Sequence, residues 1–206
     1  MSSLTGFRAR LREPRPIIAT FSILGSPVIV ELIGRADFEA VVLDLEHGPL
    51  GPESMSAMIP AARSASLTPL VRVRTNEASL IGQALDAGAA GVLVPQIASA
   101  REAEAAVTAA RFAPDGTRGA NPFVRAAHYT AGPEYYSAAN RDAAVLVMVE
   151  GTAGLDALPE ILEVPGLDGV FIGPFDLSQS LGVRMVGLGV DSQLVLQGLR
   201  AARKAL

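Results

Sequence analysis

The sequence predicts an α/β protein built as a TIM-type (β/α)8 barrel. Short aliphatic runs alternate with helical patterns along the 206 residues, an order typical of parallel strands joined by right-handed crossovers. Half of the residues are apolar but only 5% are aromatic, as expected when aliphatic strands are buried on both faces. Neither a GxGxxG motif nor a P-loop follows the first strand. This favours a barrel over a doubly wound nucleotide-binding sheet, with an open flavodoxin-like sheet as the alternative.

The predicted strands are aliphatic runs that end at polar or turn-forming residues. They cover residues 16–23, 38–46, 68–74, 90–96, 143–150, 168–174 and 185–191. The helical patterns between and after them cover residues 26–35, 51–65, 76–89, 99–112, 133–142, 154–164, 175–182 and 192–206. Ser26 and the capping box of Ser99 with Glu102 mark two helix starts. Gly88 marks a helix end, and Pro60 is expected to kink the second helix.

Composition and charge exclude several functions. The net charge is −4 and no long basic run is present, so nucleic acid and anionic membranes are not expected partners. The chain has no cysteine, which excludes disulfides and thiolate chemistry. The first 16 residues lack the apolar core of a secretory signal, and no apolar run is long enough to cross a membrane. We therefore expect a cytoplasmic protein that forms one barrel domain over residues 1–206.

Polar residues gather where the predicted strands end, and barrel enzymes carry their active sites at the carboxyl ends of the strands. The candidate residues at these ends are Asp44, Glu46, His47, Arg72, Gln96, Glu150, Gly173, Pro174 and Asp176. The second strand is typical. Four of the five residues in the run VVLDL are apolar, the fifth is Asp44, and Glu46 and His47 follow the run. Each such strand is apolar inside the core and polar where it leaves the core.

Glu150 and Asp176 point to a metal site. Adjacent strands would bring the two carboxylates together, and their repulsion in a dry site is relieved by a divalent cation. Oxygen ligands favour Mg²⁺ or Mn²⁺, with Co²⁺ as a further candidate. The alternative is that both residues are helix caps or first-turn acids, which is the more serious alternative for Asp176.

His47 and Arg72 are the candidate proton acceptor and anion-binding residue. Asp44 or Glu46 could orient His47 and raise its basicity, whereas the alternative is a structural histidine bonded to a backbone carbonyl. Arg72 could hold an anionic substrate through its planar fork, whereas the alternative is a salt bridge inside the barrel, for example with Asp86.

The polar stretch 113–132 is too long for an idle connection and is predicted to be a functional loop. Its Arg118 and Arg125 could reach a second carboxylate of a substrate, but solvated loop charges are the plainer expectation for both. His128 is expected at the surface.

Several motifs together resemble the HpcH/HpaI aldolase family. They are LDLEHGP, PLVRV, LDAGAAGVLVPQIASAREAEAAVTAARFAPDGTRG, VEGTAGLDALPEILEVPGLDGVFIGPFDLSQSLG and VGLGVD, and the likeness runs from about residue 16 to residue 206. The resemblance implies a divalent metal held by Glu150 and Asp176, with pyruvate bound to it as the enolate forms. It implies that Arg72 stabilises the keto oxygen and that His47, supported by Asp44, transfers the proton.

The resemblance also implies the remaining substrate contacts and the assembly. The backbone from Gly173 through Pro174 and Phe175 to Asp176 would receive the pyruvate carboxylate, and Gln96 would lie beside the substrate. Members of the family commonly exchange the last helix between subunits, which implies a homo-oligomer ranging from dimer to hexamer. The expected reaction is the class II cleavage or formation of 4-hydroxy-2-oxo acids, with pyruvate and an aldehyde as products.

One departure from the family lies after the sixth strand. Val183 is followed almost directly by Met185 and the last predicted strand, where the family carries the seventh βα unit, and the chain is shorter than the roughly 250 residues of a typical TIM barrel. Either the protein lacks this unit, or residues that belong after Val183 are absent from the sequence. The alternatives to an aldolase are a related decarboxylase or CoA-thioester lyase, and a catalytically inactive barrel that serves as a binding module.

Overall fold

The structure, a computed structural model, describes residues 6–181 and 190–204. Its six parallel strands pair in sequence order. The strands are β1 Ala19–Ser22, β2 Ala40–Asp44, β3 Thr68–Arg72, β4 Gly91–Val94, β5 Ala144–Val149 and β6 Gly169–Ile172. The helices are α1 Phe7–Arg10, α2 Pro27–Arg35, α3 Pro52–Ser64, α4 Ala78–Asp86, α5 Ala100–Ala110, α6 Glu134–Asp142, α7 Thr152–Asp156, α8 Leu158–Leu162, α9 Pro174–Leu181 and α10 Asp191–Lys204. The predicted α/β class with parallel strands is confirmed.

The sheet has two apolar faces because side chains alternate along each strand. In β2, Val41 and Leu43 belong to the larger core cluster shared with the helices. Ala40 and Val42 belong to a second cluster on the opposite face. Both clusters are buried, which explains why the strands are continuous aliphatic runs rather than alternating ones.

The sheet curls, so that its first and last strands approach each other across the second face. Neighbouring strands lie about 4.8 Å apart, and a flat sheet would separate the first and sixth strands by about 24 Å. Instead the rings of Phe21 on β1 and Phe171 on β6 make an edge-to-face contact with centroids 5.5 Å apart. The six strands therefore form a curled half-barrel with the second apolar face inside.

The short helix α1 covers the amino ends of the strands, although the sequence pattern did not predict it. Its Phe7 is buried in the inner-face cluster. Arg8 forms an ion pair of 2.5 Å with Asp168, just before β6, and Arg10 forms one of 3.3 Å with Glu39, just before β2. The opposite end of the inner face, at the carboxyl ends of the strands, carries the polar residues.

Most predicted elements are present with shorter bounds, and the differences have local causes. The Ser99 half of the predicted capping box is confirmed, since its hydroxyl accepts a hydrogen bond from the amide of Glu102 at 3.3 Å. The carboxylate of Glu102 instead accepts from the amide of Ala98, one residue before the cap, at 2.8 Å. The single helix predicted for 154–164 is wrong. Two short helices meet at Ala157 instead, because Pro159 lacks an amide proton and its ring would clash with the preceding turn of a continuous helix.

The predicted strand 185–191 lies mostly outside the described residues. Asp191, its last residue, is not in a strand but begins α10. The carboxylate of Asp191 accepts hydrogen bonds from the hydroxyl of Ser22 and from the amides of Ile23 and Leu24, at 2.9, 3.1 and 3.2 Å. These bonds fasten the start of α10 to the end of β1. Over residues 6–181 and 190–204, the longest apolar helical stretch falls short of what a membrane crossing needs.

Candidate active site

Three buried ionisable side chains meet at the carboxyl end of the inner face. Asp44 ends β2, Arg72 ends β3 and Glu150 follows β5, and they are 1%, 8% and 8% exposed. Alternation places each of them on the same face as an inner-cluster residue two positions earlier: Val42, Leu70 and Met148. The strands thus deliver the charged side chains to one place.

Arg72 is held on two sides by carboxylates. Asp44 is its cross-strand register partner, and the carboxylate of Asp44 accepts from Nε at 2.9 Å and from Nη2 at 2.5 Å. The third guanidinium nitrogen, Nη1, lies 2.9 Å from Oε2 of Glu46. The guanidinium also stands 5.0 Å from the ring centroid of Phe21. This arrangement fixes the orientation of Arg72, because a bidentate pair and a ring contact leave its side chain little freedom.

Arg72 does form the salt bridge inside the barrel that was the alternative to anion binding, but its partners are Asp44 and Glu46 and not Asp86. Asp86 lies at the end of α4 and pairs with Arg118 at 2.6 Å. The guanidinium of Arg118 also lies 4.4 Å from the ring centroid of Phe112, so Arg118 is a buried structural arginine rather than a solvated loop charge.

His47 lies at the rim of the cluster. Asp44 does not accept a hydrogen bond from its imidazole. It accepts one from the backbone amide of His47 at 3.3 Å and another from the amide of Glu46 at 3.1 Å. The carboxylate that lies closest to the imidazole is Glu46, with Oε2 at 3.8 Å from Nε2. The His47 side chain is 63% exposed, so it is accessible to a molecule that binds at the carboxyl end of the inner face.

The environment of Glu150 disfavours its charged form. Burial is the largest cause, and the nearby charges of Glu46 and Asp176 add to it, so that the pKa of Glu150 is raised. The amide of Gln96 donates to Oε1 at 2.7 Å and, with the charge of Arg72, opposes the rise. Asp176 itself is exposed in the first turn of α9.

A glycine gives Glu150 its space. A Cβ added at Gly173 would lie 2.6 Å from Cβ of Glu150 and 3.0 Å from its Oε2. Real Cβ atoms almost never approach another atom to 2.6 Å, so any larger residue at position 173 would have to push Glu150 aside. The end of β6 is therefore shaped around the carboxylate.

Gln96 and Glu46 connect the two halves of the cluster. Gln96 has φ of +58°, an uncommon left-handed conformation for a residue other than glycine. Its amide bonds Glu150, and its Nε2 donates to Oε1 of Glu46 at 3.0 Å. The sequence marked Glu46 only as a neighbour of His47, whereas the structure makes it a contact of Arg72, Gln96 and His47. Phe21 was also missed, although an aromatic residue in a strand of small aliphatic residues was a usable signal.

The loop 113–132 does not carry its cationic residues to this end of the sheet. His128 lies with Leu67, which precedes β3, and Arg125 lies with Gly88, which precedes β4. These positions belong to the amino ends of the strands, because an α-to-β connection returns the chain to that side. The prediction that Arg125 could reach a substrate carboxylate is therefore wrong for the site formed within a single chain.

The pair of Glu150 and Asp176 suits a divalent cation in its chemistry. Among the described residues, no three acidic or histidine side chains converge into one potential metal cluster. Two carboxylates, one of them with a raised pKa and a glycine-shaped space beside it, match a site that leaves several positions for water and substrate oxygens.

Comparison with known proteins identifies the family. Residues 18–205 match the family described as HpcH/HpaI aldolase/citrate lyase, and the chain belongs to this family. A hydroxypyruvate/pyruvate aldolase from Roseovarius nubinhibens is 40% identical over 85% of this chain and 69% of its own length. A 5-keto-4-deoxy-D-glucarate aldolase from Salmonella paratyphi A is 34% identical over 97% of this chain and 78% of its own length.

Solved structures agree in fold. An HpcH/HpaI aldolase/citrate lyase family protein from Burkholderia cenocepacia superposes with a TM-score of 0.83 at 33% identity, over 98% of this chain and 81% of that protein. The citrate synthase SbnG superposes with a TM-score of 0.78 at 31% identity, over 88% of this chain and 70% of that protein. Membership in this family supports a carbon–carbon lyase.

Proposed function

We propose that the protein is a divalent-metal-dependent aldolase that cleaves or forms 4-hydroxy-2-oxo acids, with pyruvate and an aldehyde as the other partners of the reaction. The observation that carries this proposal is the fixed guanidinium of Arg72 near the carboxylate of Glu150, which in turn lies near Asp176, at one end of the curled sheet. The relatives named as aldolases support the same class of chemistry. Pyruvate is the proposed 2-oxo acid, and the aldehyde is left open.

Glu150 and Asp176 would hold the metal, with Mg²⁺, Mn²⁺ and Co²⁺ as candidates. The pKa of Glu150 is raised first by burial and then by the charges of Glu46 and Asp176, and a cation bound there would offset both. When bound, the cation would act as a Lewis acid that stabilises negative charge on the keto oxygen of the substrate. The glycine at position 173 would keep the Oε2 side of Glu150 open for this purpose.

Arg72 would stabilise the same oxygen from the protein side. Cleavage of the bond between C3 and C4 moves an electron pair toward the keto oxygen, and a preorganised donor aimed at that oxygen accelerates the step. Asp44 holds Nε and Nη2, and Glu46 holds Nη1, so the guanidinium would not have to reorganise as the charge develops. A substrate oxygen would share the Nη1 side, where contact with Glu46 is an ion pair without hydrogen-bond alignment.

His47 would accept the proton of the 4-hydroxyl group. Its imidazole is exposed at the carboxyl end of the sheet and lies 3.8 Å from the carboxylate of Glu46, so it could be reached by a substrate hydroxyl that binds there. Asp44 would support His47 only through its backbone amide. The amides at the start of α9, those of Phe175 and Asp176, would receive the substrate carboxylate, because the first amides of a helix have no partner within the helix.

We further propose that residues 1–206 form one TIM-type barrel domain and that the protein works as a homo-oligomer, from dimer to hexamer. The half-barrel leaves β6 as an open edge among the described strands, with Phe171 and Ile172 about 40% exposed. A sheet edge of this kind needs cover by further strands or by another copy. Related decarboxylase or CoA-thioester lyase chemistry and an inactive binding module are the alternatives.

The decisive experiment is pyruvate release from a 4-hydroxy-2-oxo acid, coupled to lactate dehydrogenase, with Mg²⁺ or Mn²⁺ and again with EDTA. Release that requires metal and is lost in Glu150→Gln, but kept in the matched surface variant Glu104→Gln on α5, would support the proposal. Carbon dioxide release from a 2-oxo diacid without aldehyde formation would favour the decarboxylase. Absence of both turnover and metal binding would favour the binding module. The intact mass of the same sample would show whether the tested protein has the mass expected for the 206-residue chain.

A further inference from the structure

A small cavity lies at the amino ends of the strands, opposite the candidate active site. It has a volume of about 250 Å³ and is lined by Ile59, Pro60, Arg63, Arg125, His128 and Tyr129. These residues come from the second half of α3 and from the loop 113–132. The lining contains two arginines and a histidine but no carboxylate, so its charge is positive.

The two arginines lack acidic partners. Nη2 of Arg63 donates to the carbonyl of Gly88, but its buried Nε has no hydrogen-bond partner. Within residues 6–181 and 190–204, the guanidinium of Arg125 takes part in neither an ion pair nor a hydrogen bond. Both side chains meet at Gly88, where an added Cβ would lie 3.1 Å from Nη2 of Arg63 and 3.7 Å from Cδ of Arg125.

The proximity of the arginines has an electrostatic cost. Burial lowers the pKa of Arg63, and the charge of Arg125 lowers it further. Elsewhere in the fold, buried arginines such as Arg72 and Arg118 face carboxylates. A pair of unneutralised guanidiniums in one cavity is therefore unusual for this chain, and a bound anion would remove the penalty.

The backbone around the cavity is also unusual. His128 and Tyr129 have φ of +51° and +62°, and two successive left-handed residues without glycine are uncommon and costly. Their conformation turns the chain at the rim of the cavity, and both side chains are exposed there. Such strain persists where the surrounding structure requires it, and it is found more often at binding sites than elsewhere.

We propose that this cavity binds a dianionic oxyanion group, either a phosphate or a dicarboxylate. Guanidinium forks bind both groups with paired hydrogen bonds, and the volume suits a group of that size. Arg63 and His128 also line a larger neighbouring cavity of about 1070 Å³, which would accommodate the rest of a ligand that carries the anion. The site is independent of the aldolase proposal, because it shares no residue with the candidate active site.

A purely structural role for the arginines explains less. Arg63 lies in the last turn of α3, where a cation stabilises the helix end, and it also satisfies the carbonyl of Gly88. This accounts for one of the five donors of Arg63 and for none of those of Arg125. The anion proposal accounts for the free donors of both residues.

The test is a calorimetric titration of the full chain with inorganic phosphate and, in a second arm, with succinate, at constant ionic strength. The variants are Arg63→Gln and Arg125→Gln, and the matched control is Arg35→Gln, which removes an exposed arginine on α2. We expect saturable binding of at least one of the anions at one site per chain. We also expect at least tenfold weaker binding in both cavity variants and unchanged binding in the control.

The outcomes separate the alternatives. Binding of phosphate alone or of succinate alone supports the site and names its class, and binding of both supports a general dianion site. Binding that persists in Arg125→Gln lies elsewhere, for example near Arg72, and overturns the proposal. The proposal is also overturned if the control Arg35→Gln loses as much affinity as the cavity variants, or if neither anion binds. If Arg63→Gln does not fold, Arg125→Gln decides, because Arg125 has no polar contact to lose among the described residues.

Discussion

Replacement of Gly173 by alanine tests whether the space beside Glu150 matters. The new methyl group would lie 2.6 Å from Cβ of Glu150, 3.0 Å from its Oε2 and 3.2 Å from Cγ of Met148. Ordinary carbon–carbon contacts are about 3.5–4.0 Å, so Glu150 has to move by about 1 Å. Met148 can adjust its flexible side chain, but the Cβ of Glu150 is fixed to the backbone that follows β5.

Two effects of different size are expected from Gly173→Ala. Overpacking lowers the free energy of unfolding by about 1–3 kcal/mol. Displacement of a catalytic group by 1 Å costs about 100-fold in rate, so kcat/KM for pyruvate release should fall about 100-fold. The fall in activity should exceed what the loss of folded protein explains, which requires that activity be normalised to the folded fraction measured by circular dichroism.

The control for this experiment is Gly151→Ala, which changes the glycine that directly follows Glu150. An added Cβ at Gly151 would meet no atom within 4 Å, and its φ of −135° is accessible to alanine. Because Gly151 is the N-cap of α7, where alanine is less favourable than glycine, the free energy of unfolding should fall by about 1 kcal/mol, and activity should stay close to that of the parent. If Gly173→Ala were folded and kept full activity and metal affinity, the placement of Glu150 in the reaction would be refuted.

Three further changes have expected outcomes. Arg72→Met should lower the free energy of unfolding by about 3–5 kcal/mol in urea titrations, because it leaves the buried Asp44 unpaired; a loss below 1 kcal/mol would contradict the network. Asp191→Ala should cost about 3 kcal/mol in the same assay, since the three hydrogen bonds from Ser22, Ile23 and Leu24 to its buried carboxylate disappear. A neutral result would mean that α10 is held to β1 by other contacts. Glu150→Gln should raise the Tm of the EDTA-treated protein at pH 7. The raised pKa of Glu150 means that the folded state binds its proton more tightly, so the parent loses stability as the pH rises from the ordinary value of 4.5 through the folded pKa. The difference in Tm should therefore shrink toward pH 4.5, and a difference that grows on acidification would contradict this reasoning.

The site shows where sequence reasoning succeeds. Alternation along β2 and β3 is enough to place Asp44 and Arg72 on one face once the strands are identified. Family resemblance names Glu150 and Asp176, and the structure brings Glu150 near Asp176, Glu46 and Arg72. What the sequence could not supply was the pairing itself, because Asp44 and Arg72 face each other only through the register of β2 against β3.

The loop 113–132 shows where sequence reasoning fails. Its turn residues and charges indicated a functional loop, but nothing local in them says to which end of the sheet the loop returns. Long-range contacts decided that Arg118 is buried against Asp86 and that Arg125 lies beside Gly88. The left-handed conformation of Gln96 was equally invisible, because bonds to two distant carboxylates hold it.

The sequence by itself determined the order of the six strands β1–β6, their parallel arrangement and the helix start at Ser99. These features follow from residue spacing and from contacts within a few positions of the chain. Only the tertiary structure decided which carboxylate holds Arg72, how Gly173 fits around Glu150 and which end of the sheet Arg125 occupies. The physical reason is that register, curl and close packing depend on groups far apart in the chain, and their relative positions are set only when the sheet has formed.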